Sequence, residues 1–336
     1  MNDSFNIQYL YQKEIYKEKW NACIDKAPNG LIYGYSFYLD QMAKHWDGLV
    51  LSKGLHSEND YEAVMPLTWN KKYGIHYLYP PFLAAELGVF GKNLNAELIE
   101  AFFRSVPKKF KYWDISLNYG NVFDPITIGL KNFKLHKRSN YVLDLNKSYE
   151  ELYKAFNENI QRNIKKAEQA GCIVQKNFNV EEVIQLALLQ MRSYAKGGNE
   201  NAERFRKLYK YLHENKQAIT YGVFSKENKL LSSCVFFFSH NRAYYILVGN
   251  HPDARLTGAR RNGSSGRAVG QGKVVGTSHA VINGFIKDHA GKKLLLDFEG
   301  SDIPGLARFY KSFGAVEEKY AAIKLNRLPF YLKWMK

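Results

Sequence analysis

Cysteine is scarce in this chain. Cys23, Cys172 and Cys234 are the only three in 336 residues. The number is odd and no two are close together, which argues against a disulfide framework or a cysteine-based metal site and fits a reducing compartment. No apolar run approaches the roughly 20 residues that a bilayer span needs. The longest candidate, Cys234 to Phe238, reads as a buried strand. The opening MNDSFNIQYLYQKE is polar and lacks the cationic-then-apolar pattern of a secretion signal. The expectation is therefore a cytoplasmic chain with no membrane span. Acidic residues are in deficit, 32 against 48 Lys and Arg, for a net charge of +16. Such a surplus attracts nucleic acid, an anionic membrane surface or a phosphorylated ligand; a solvated lysine-rich surface explains it equally well. Arg255, Arg260, Arg261, Arg267 and Lys273 fall within residues 254–276, which hold no Asp or Glu.

What is present is an ordinary globular mixture, 46% hydrophobic and 24% charged, with aromatics raised to 15%. A chain this long accommodates about two domains of roughly 150 residues. In the first half, helices are expected at 8–27 and Phe37 to Trp46. Strands follow at Gly48 to Leu51, Tyr61 to Leu67 and Ile75 to Tyr79, then a helix at Leu94 to Arg104 and a strand at Tyr112 to Leu117. The second half begins with a strand at Tyr141 to Leu143 and a long helix from Tyr149 to Ala170, closed by Gly171. After a strand at Cys172 to Asn177 come helices at Val180 to Ala195 and Ala202 to Glu214. Three strands follow between Ala218 and Gly249. A helix at Ser278 to Asp288, a strand at Lys293 to Phe298, a helix at Ile303 to Phe313 and a strand at Val316 to Leu325 complete the chain. The order of elements suggests two copies of one α/β unit, residues 1–140 and 141–336.

Three stretches carry a resemblance: SYEELYKAFNENIQRNIKKAEQAG at 148–171, ILVGNHPD at 246–253, and GTSHAVINGFIKDHAGKKLLLDFEGSDIPGLARFYKSFGA at 276–315. Together they resemble the FemAB-like branch of the acyl-CoA N-acyltransferase (GNAT) superfamily. The resemblance is specific in the second half; in the first, HYLYPPF and LGVFG are only compatible with it. It implies an α/β fold of two tandem GNAT-like domains, each a mixed, mostly antiparallel sheet flanked by helices. It also implies a bacterial transferase that uses acetyl-CoA or another acyl-CoA as donor, with the donor site in the second domain. Val248 and Gly249 then end the central strand that faces the donor. Tyr310, four residues before Gly314, matches the helix tyrosine that often lies near the CoA sulfur as a general acid; otherwise it is a core tyrosine beside Phe309 and Phe313.

Acyl transfer from a thioester needs a phosphate anchor, a polarised carbonyl, a place for the amine proton and a donor to the leaving thiolate. Asp297 and Glu299 lie two apart at a strand end and so share a face. Either could act on the amine, Asp297 could cap the next helix or bind a backbone amide, or water could take the proton. Arg267, Gly270 and Gly272 in RAVGQG match a phosphate-binding pattern. They sit in a stretch with six glycines and four of the thirteen arginines, and without an aromatic residue. That stretch reads either as a phosphate loop with a basic rim or as an insertion unlike its surroundings. In the second case Gly276, Thr277 and Ser278, at the following helix start, are the better phosphate ligands. His279 reads as a phosphate neighbour or a surface histidine. Arg162, Lys165 and Lys166 read as a carrier-binding or a solvated face. No metal ligands are expected.

The leading function is transfer of an acyl group from acyl-CoA to an amine of a small molecule or sugar. The alternative donor is aminoacyl-tRNA, which the resemblance implies for FemAB proteins acting on peptidoglycan precursors; the positive charge suits RNA. A non-catalytic binding protein with a disrupted donor loop is the third reading. Tyr33, Tyr35, Tyr77 and Tyr79 either line an acceptor cleft or are ordinary strand and core residues. The residues leave acyl chain length, acceptor and oligomeric state open.

Overall fold

The computed structural model describes residues 5–52, 60–123, 133–191, 198–252, 276–300 and 302–328. The chain divides into two compact units, Met1–Asn140 with Glu318–Lys336, and Tyr141–Glu317. The α/β class and the mostly antiparallel sheets are as expected.

In the first unit the strands are β1 (Ile7–Tyr11), β2 (His45–Ser52), β3 (Tyr61–Lys72), β4 (Ile75–Leu78), β5 (Phe90–Gly91), β6 (Phe110–Ser116), β7 (Phe133–Asp144) and β13 (Val316–Asn326). Their order is β1-β2-β3-β4-β6-β13-β7, with β5 beside β3. The β4–β6 pair is parallel. Strand β7 supplies residues to both units. Helix α3 (Ala96–Ser105), capped by the Asn95 side chain, lays Phe102 and Phe103 on one sheet face. There they meet Leu49, Met65, Leu67, Leu78, Trp113, Ile323 and Leu325. Helices α1 (Lys17–Lys26) and α2 (Ser36–Met42) pack near β3 and β2. A Cβ at Gly48 would sit 2.6 Å from the Trp20 ring, so β2 and α1 approach closely because residue 48 has no side chain.

The expected helix over 8–27 is two elements. Ile7–Tyr11 is a strand paired with β2, and the helix begins at Lys17. The apolar residues of IQYLY serve a sheet edge, where pairing outweighs local helical spacing. The helix expected at Phe37 to Trp46 ends at Met42, because His45 and Trp46 enter β2.

In the second unit the order is β7-β12-β11-β10-β9-β8. These strands are β8 (Ile173–Lys176), β9 (Ala218–Phe224), β10 (Leu230–Ser239), β11 (Arg242–Asn250) and β12 (Leu295–Asp297). All neighbours are antiparallel except β11 and β12. Helices α4 (Tyr149–Ala155), α5 (Glu158–Gln169), α8 (Thr277–His289) and α9 (Pro304–Lys311) cover one face. Helices α6 (Val180–Met191) and α7 (Gly198–Glu214) pack against β9, β10 and β11. The long helix expected from Tyr149 to Ala170 is broken at Phe156, where Asn157 takes extended backbone and caps α5 by accepting from the Ile160 amide. The Gln161 side-chain Nε2 donates to Tyr153 O and Phe156 O across the break, satisfying carbonyls that a continuous helix would have used. Gly171 closes α5 with φ +73°, as its type requires.

Candidate active site

Strands β11 and β12 run parallel for only three residue pairs, Arg242/Leu295, Ala243/Leu296 and Tyr244/Asp297. Strand β12 then ends, while β11 continues from Tyr245 to Asn250. Two local features drive them apart. Opposite β10, the register slips between Val235/Leu247 and Phe236/Tyr245, so Ile246 is the extra residue of a bulge in β11. At the end of β12 the backbone turns through Glu299 (φ +60°) and Gly300 (φ +75°). Two adjacent left-handed residues cannot continue a strand. The result is a stretch of β11 main chain not paired with β12.

The parting point is held by a buried ion pair. Arg242 Nη1 donates to Asp297 Oδ2 at 2.7 Å, and the two residues are only 6% and 2% exposed. The other oxygen, Oδ1, accepts the Glu299 amide at 2.8 Å. Of the readings of Asp297, the one in which it binds a backbone amide matches this geometry, its carboxylate being committed to a guanidinium and to the turn. The side chain of Glu299 is the half-buried carboxylate of the strand end.

Tyr310 stacks on Phe298, with ring centroids 4.6 Å apart and planes 19° from parallel. Tyr245, on the stretch of β11 that β12 does not accompany, meets Phe298 edge-on at 6.1 Å. Burial first and the Glu299 charge second push the Tyr310 phenol above its ordinary value. Burial likewise pushes the Tyr245 phenol up. A phenol held neutral in this way donates a hydrogen bond to a developing thiolate rather than surrendering its proton, because a thiol of ordinary acidity is the stronger acid.

At its far end β11 is latched to the N-terminus of α8. Asn250 Oδ1 accepts from Ser232 Oγ at 2.8 Å and Ser278 Oγ at 2.7 Å, and Thr277 Oγ1 lies 2.6 Å from Ser232 Oγ. The Asn250 amide donates to Gln190 Oε1 at 3.0 Å. The Thr277 and Ser278 hydroxyls are thus occupied, and Thr277 is 1% exposed. The His279 and Ala280 amides donate to Gly276 O at 3.1 and 2.9 Å, so what α8 can offer an anion is its first two amides, those of Thr277 and Ser278. Gly276 caps the helix at φ +93°, and a Cβ there would lie 2.0 Å from the Asn163 carbonyl oxygen. Val248 packs on the core beneath α8. Gly249 serves helix packing, since its Cβ would fall 2.6 Å from the Ala187 nitrogen of α6. Arg267, Gly270 and Gly272 lie outside the described residues.

His279 is 2% exposed, which corrects the surface reading. Its Nε2 lies 3.4 Å from Asn163 Nδ2, and its ring meets Phe309 edge-on at 5.1 Å. Among the described residues Nδ1 finds no partner. Burial lowers its pKa to about 4. Arg162, Lys165 and Lys166 are exposed on α5, and Tyr33 and Tyr35 are buried. Among the described residues no cluster could hold a metal ion, and no helix is long and apolar enough to cross a membrane. Arg242, Asn163, Ser232, Tyr245 and Asn250 were missed from sequence. The available signal was an arginine at the start of an otherwise apolar strand and an asparagine just before HisPro.

No protein-family model matches the sequence, and no curated protein matches it by sequence. Solved structures do match the fold. A crystal structure of FemX aligns with a TM-score of 0.61 over 96% of this chain and 98% of its own, at 14% identity. A conserved protein of unknown function from Bacteroides thetaiotaomicron VPI-5482 aligns with a TM-score of 0.55 over 96% and 99%, at 9% identity. The chain therefore shares the fold of FemX.

Removing one member of the buried pair, as in Arg242→Met or Asp297→Leu, is expected to cost about 3–5 kcal/mol in urea unfolding, because it strands a buried charge. The double variant should recover most of that loss. Stability should also fall below about pH 6.5, at up to about 1.4 kcal/mol per pH unit, as the unfolded histidine protonates while buried His279 stays neutral down to about 4. His279→Asn should flatten that slope in unfolding curves taken between these pH values.

Proposed function

We propose that this chain is an N-acyltransferase that takes its acyl group from acyl-CoA and delivers it to an amine of a small molecule or sugar. The observation that supports this most is the parting of β11 and β12 beside the N-terminus of α8. An extended donor arm bearing amides could pair with the unpaired edge of Tyr245–Asn250, while the first-turn amides of α8 meet its phosphates. The amine nitrogen attacks the thioester carbon and the C–S bond breaks. The amine proton leaves through Glu299 or through water, and Tyr310 hydrogen-bonds the departing thiolate. The glycine-rich segment with Arg267, Gly270 and Gly272 would add a basic rim to the phosphate end; if it is instead an insertion, Gly276 and the α8 amides act without it.

A second reading keeps the fold and changes the donor to aminoacyl-tRNA, with a peptidoglycan precursor as acceptor. The net charge of +16 and the likeness to FemX favour it. A non-catalytic binding protein remains the third reading.

A thermal-shift series with acetyl-CoA, longer acyl-CoAs and tRNA separates these readings, since a ligand of the folded state raises the melting temperature. Selective stabilisation by an acyl-CoA is expected; a response to tRNA alone would transfer the proposal to the second donor. With a responsive donor and an amine panel, Tyr310→Phe should lower turnover roughly 10²-fold while leaving the donor's thermal shift unchanged.

A further inference from the structure

The first unit's sheet is sharply two-faced where β4, β6 and β13 lie side by side. Leu78, Trp113, Ile323 and Leu325 point to the α3 core. The alternate residues point the other way. Tyr77 sits directly opposite Tyr112 across β4 and β6. Asp114 and Tyr112 are matched on β13 by Lys324 and Asn326. The face opposite the core therefore carries a block of tyrosines, one carboxylate, one amide and one lysine.

Tyr77, Tyr112 and Asp114 of this block line a cavity of about 260 Å³ together with Lys72, Tyr73, Ile75, Tyr79 and Leu328. Tyr112 is 9% exposed and forms its floor, while Tyr79, at 52%, and Tyr73, at 75%, stand at its rim. Its charges nearly cancel. Lys324 Nζ lies 3.5 Å from Asp114 Oδ2. The Lys72 ammonium sits 5.2 Å from the centroid of the Tyr73 ring.

We propose that this cavity binds an uncharged pyranose ring of a saccharide. Size is the first argument. The cavity lies just under the roughly 300–1,000 Å³ of sites for drug-sized ligands, which suits one or two sugar rings. Chemistry is the second. A pyranose has faces of C–H bonds that meet the negative face of an aromatic ring, and a rim of hydroxyls that bond to phenol, carboxylate and ammonium groups. A purely apolar ligand would desolvate the Asp114–Lys324 pair without giving it a new polar partner. An anion would face Asp114, and a cation would face Lys72. Neutral polar edges around an apolar face satisfy every wall. The site belongs to the first unit alone and does not depend on which donor the second unit uses.

The test is saturation-transfer NMR on the full chain with methyl glycosides of glucose, galactose, mannose and N-acetylglucosamine. At least one glycoside should receive saturation at its ring protons. Tyr77→Ala and Tyr79→Ala should each weaken its binding about three- to tenfold, whereas Tyr77→Phe and Tyr79→Phe, which keep the rings, should retain most of it. Unchanged melting temperatures in the exposed Tyr79 variants separate lost binding from lost folding. Transfer to none of the four glycosides overturns the proposal, as does transfer that survives both alanine variants. Displacement of the glycoside by an oligoadenylate with strong salt dependence would also overturn it, marking the tyrosine face as a nucleic-acid surface.

Discussion

Two charges withdrawn from water, Arg242 and Asp297, determine where the central strands of the second unit part. A pair this deeply buried is costly to desolvate, and its charges have few alternatives to one another. Arg242 opens β11 and Asp297 closes β12, so the pair clasps the strands across the three residue pairs over which they run together. The second oxygen of Asp297 extends the clasp to the amide of Glu299, in the left-handed turn that carries the chain away from the sheet. Backbone geometry that would otherwise be strained is thereby held by a charge-assisted hydrogen bond.

Everything at the candidate site sits around that opening. The bulge at Ile246 bends β11. The Asn250 latch ties its far end to α8. The Tyr245, Phe298 and Tyr310 rings line the side toward the helices. Only glycine fits at 276, where α5 presses its Asn163 carbonyl against the α8 cap. The same economy appears at Gly249, where α6 crosses the strand. These close contacts keep the helix N-terminus and the strand edge in one place.

The strands and helices of the second half were largely legible because their apolar periods are long and their punctuation is clear, as with Gly171 after α5 and Pro304 at the start of α9. The first strand was not, since five residues at a sheet edge have no period to separate them from a helix start. The break before Asn157 was missed because FNENI satisfies both a helix interior and an N-cap, and the choice is made by Ser312, which accepts the Asn157 amide and bonds its side chain from far along the chain. Site chemistry was legible by residue type and not by partner. Asp297 looked like a base because Arg242, 55 residues earlier, could not be placed beside it. Thr277 and Ser278 were legible as the start of a helix, but not that Asn250 and Ser232 would occupy their hydroxyls. His279 looked superficial because its helix is amphipathic only in the company of α5 and α9.

The central claim is that the unpaired edge of β11 receives the donor. Hydrogen exchange of backbone amides, with and without an acyl-CoA that stabilises the protein, tests it most directly. Protection gained by the donor should concentrate in Tyr245–Asn250 and in the first turn of α8. Donor binding that leaves both segments exchanging as before, with protection arising elsewhere, would contradict it.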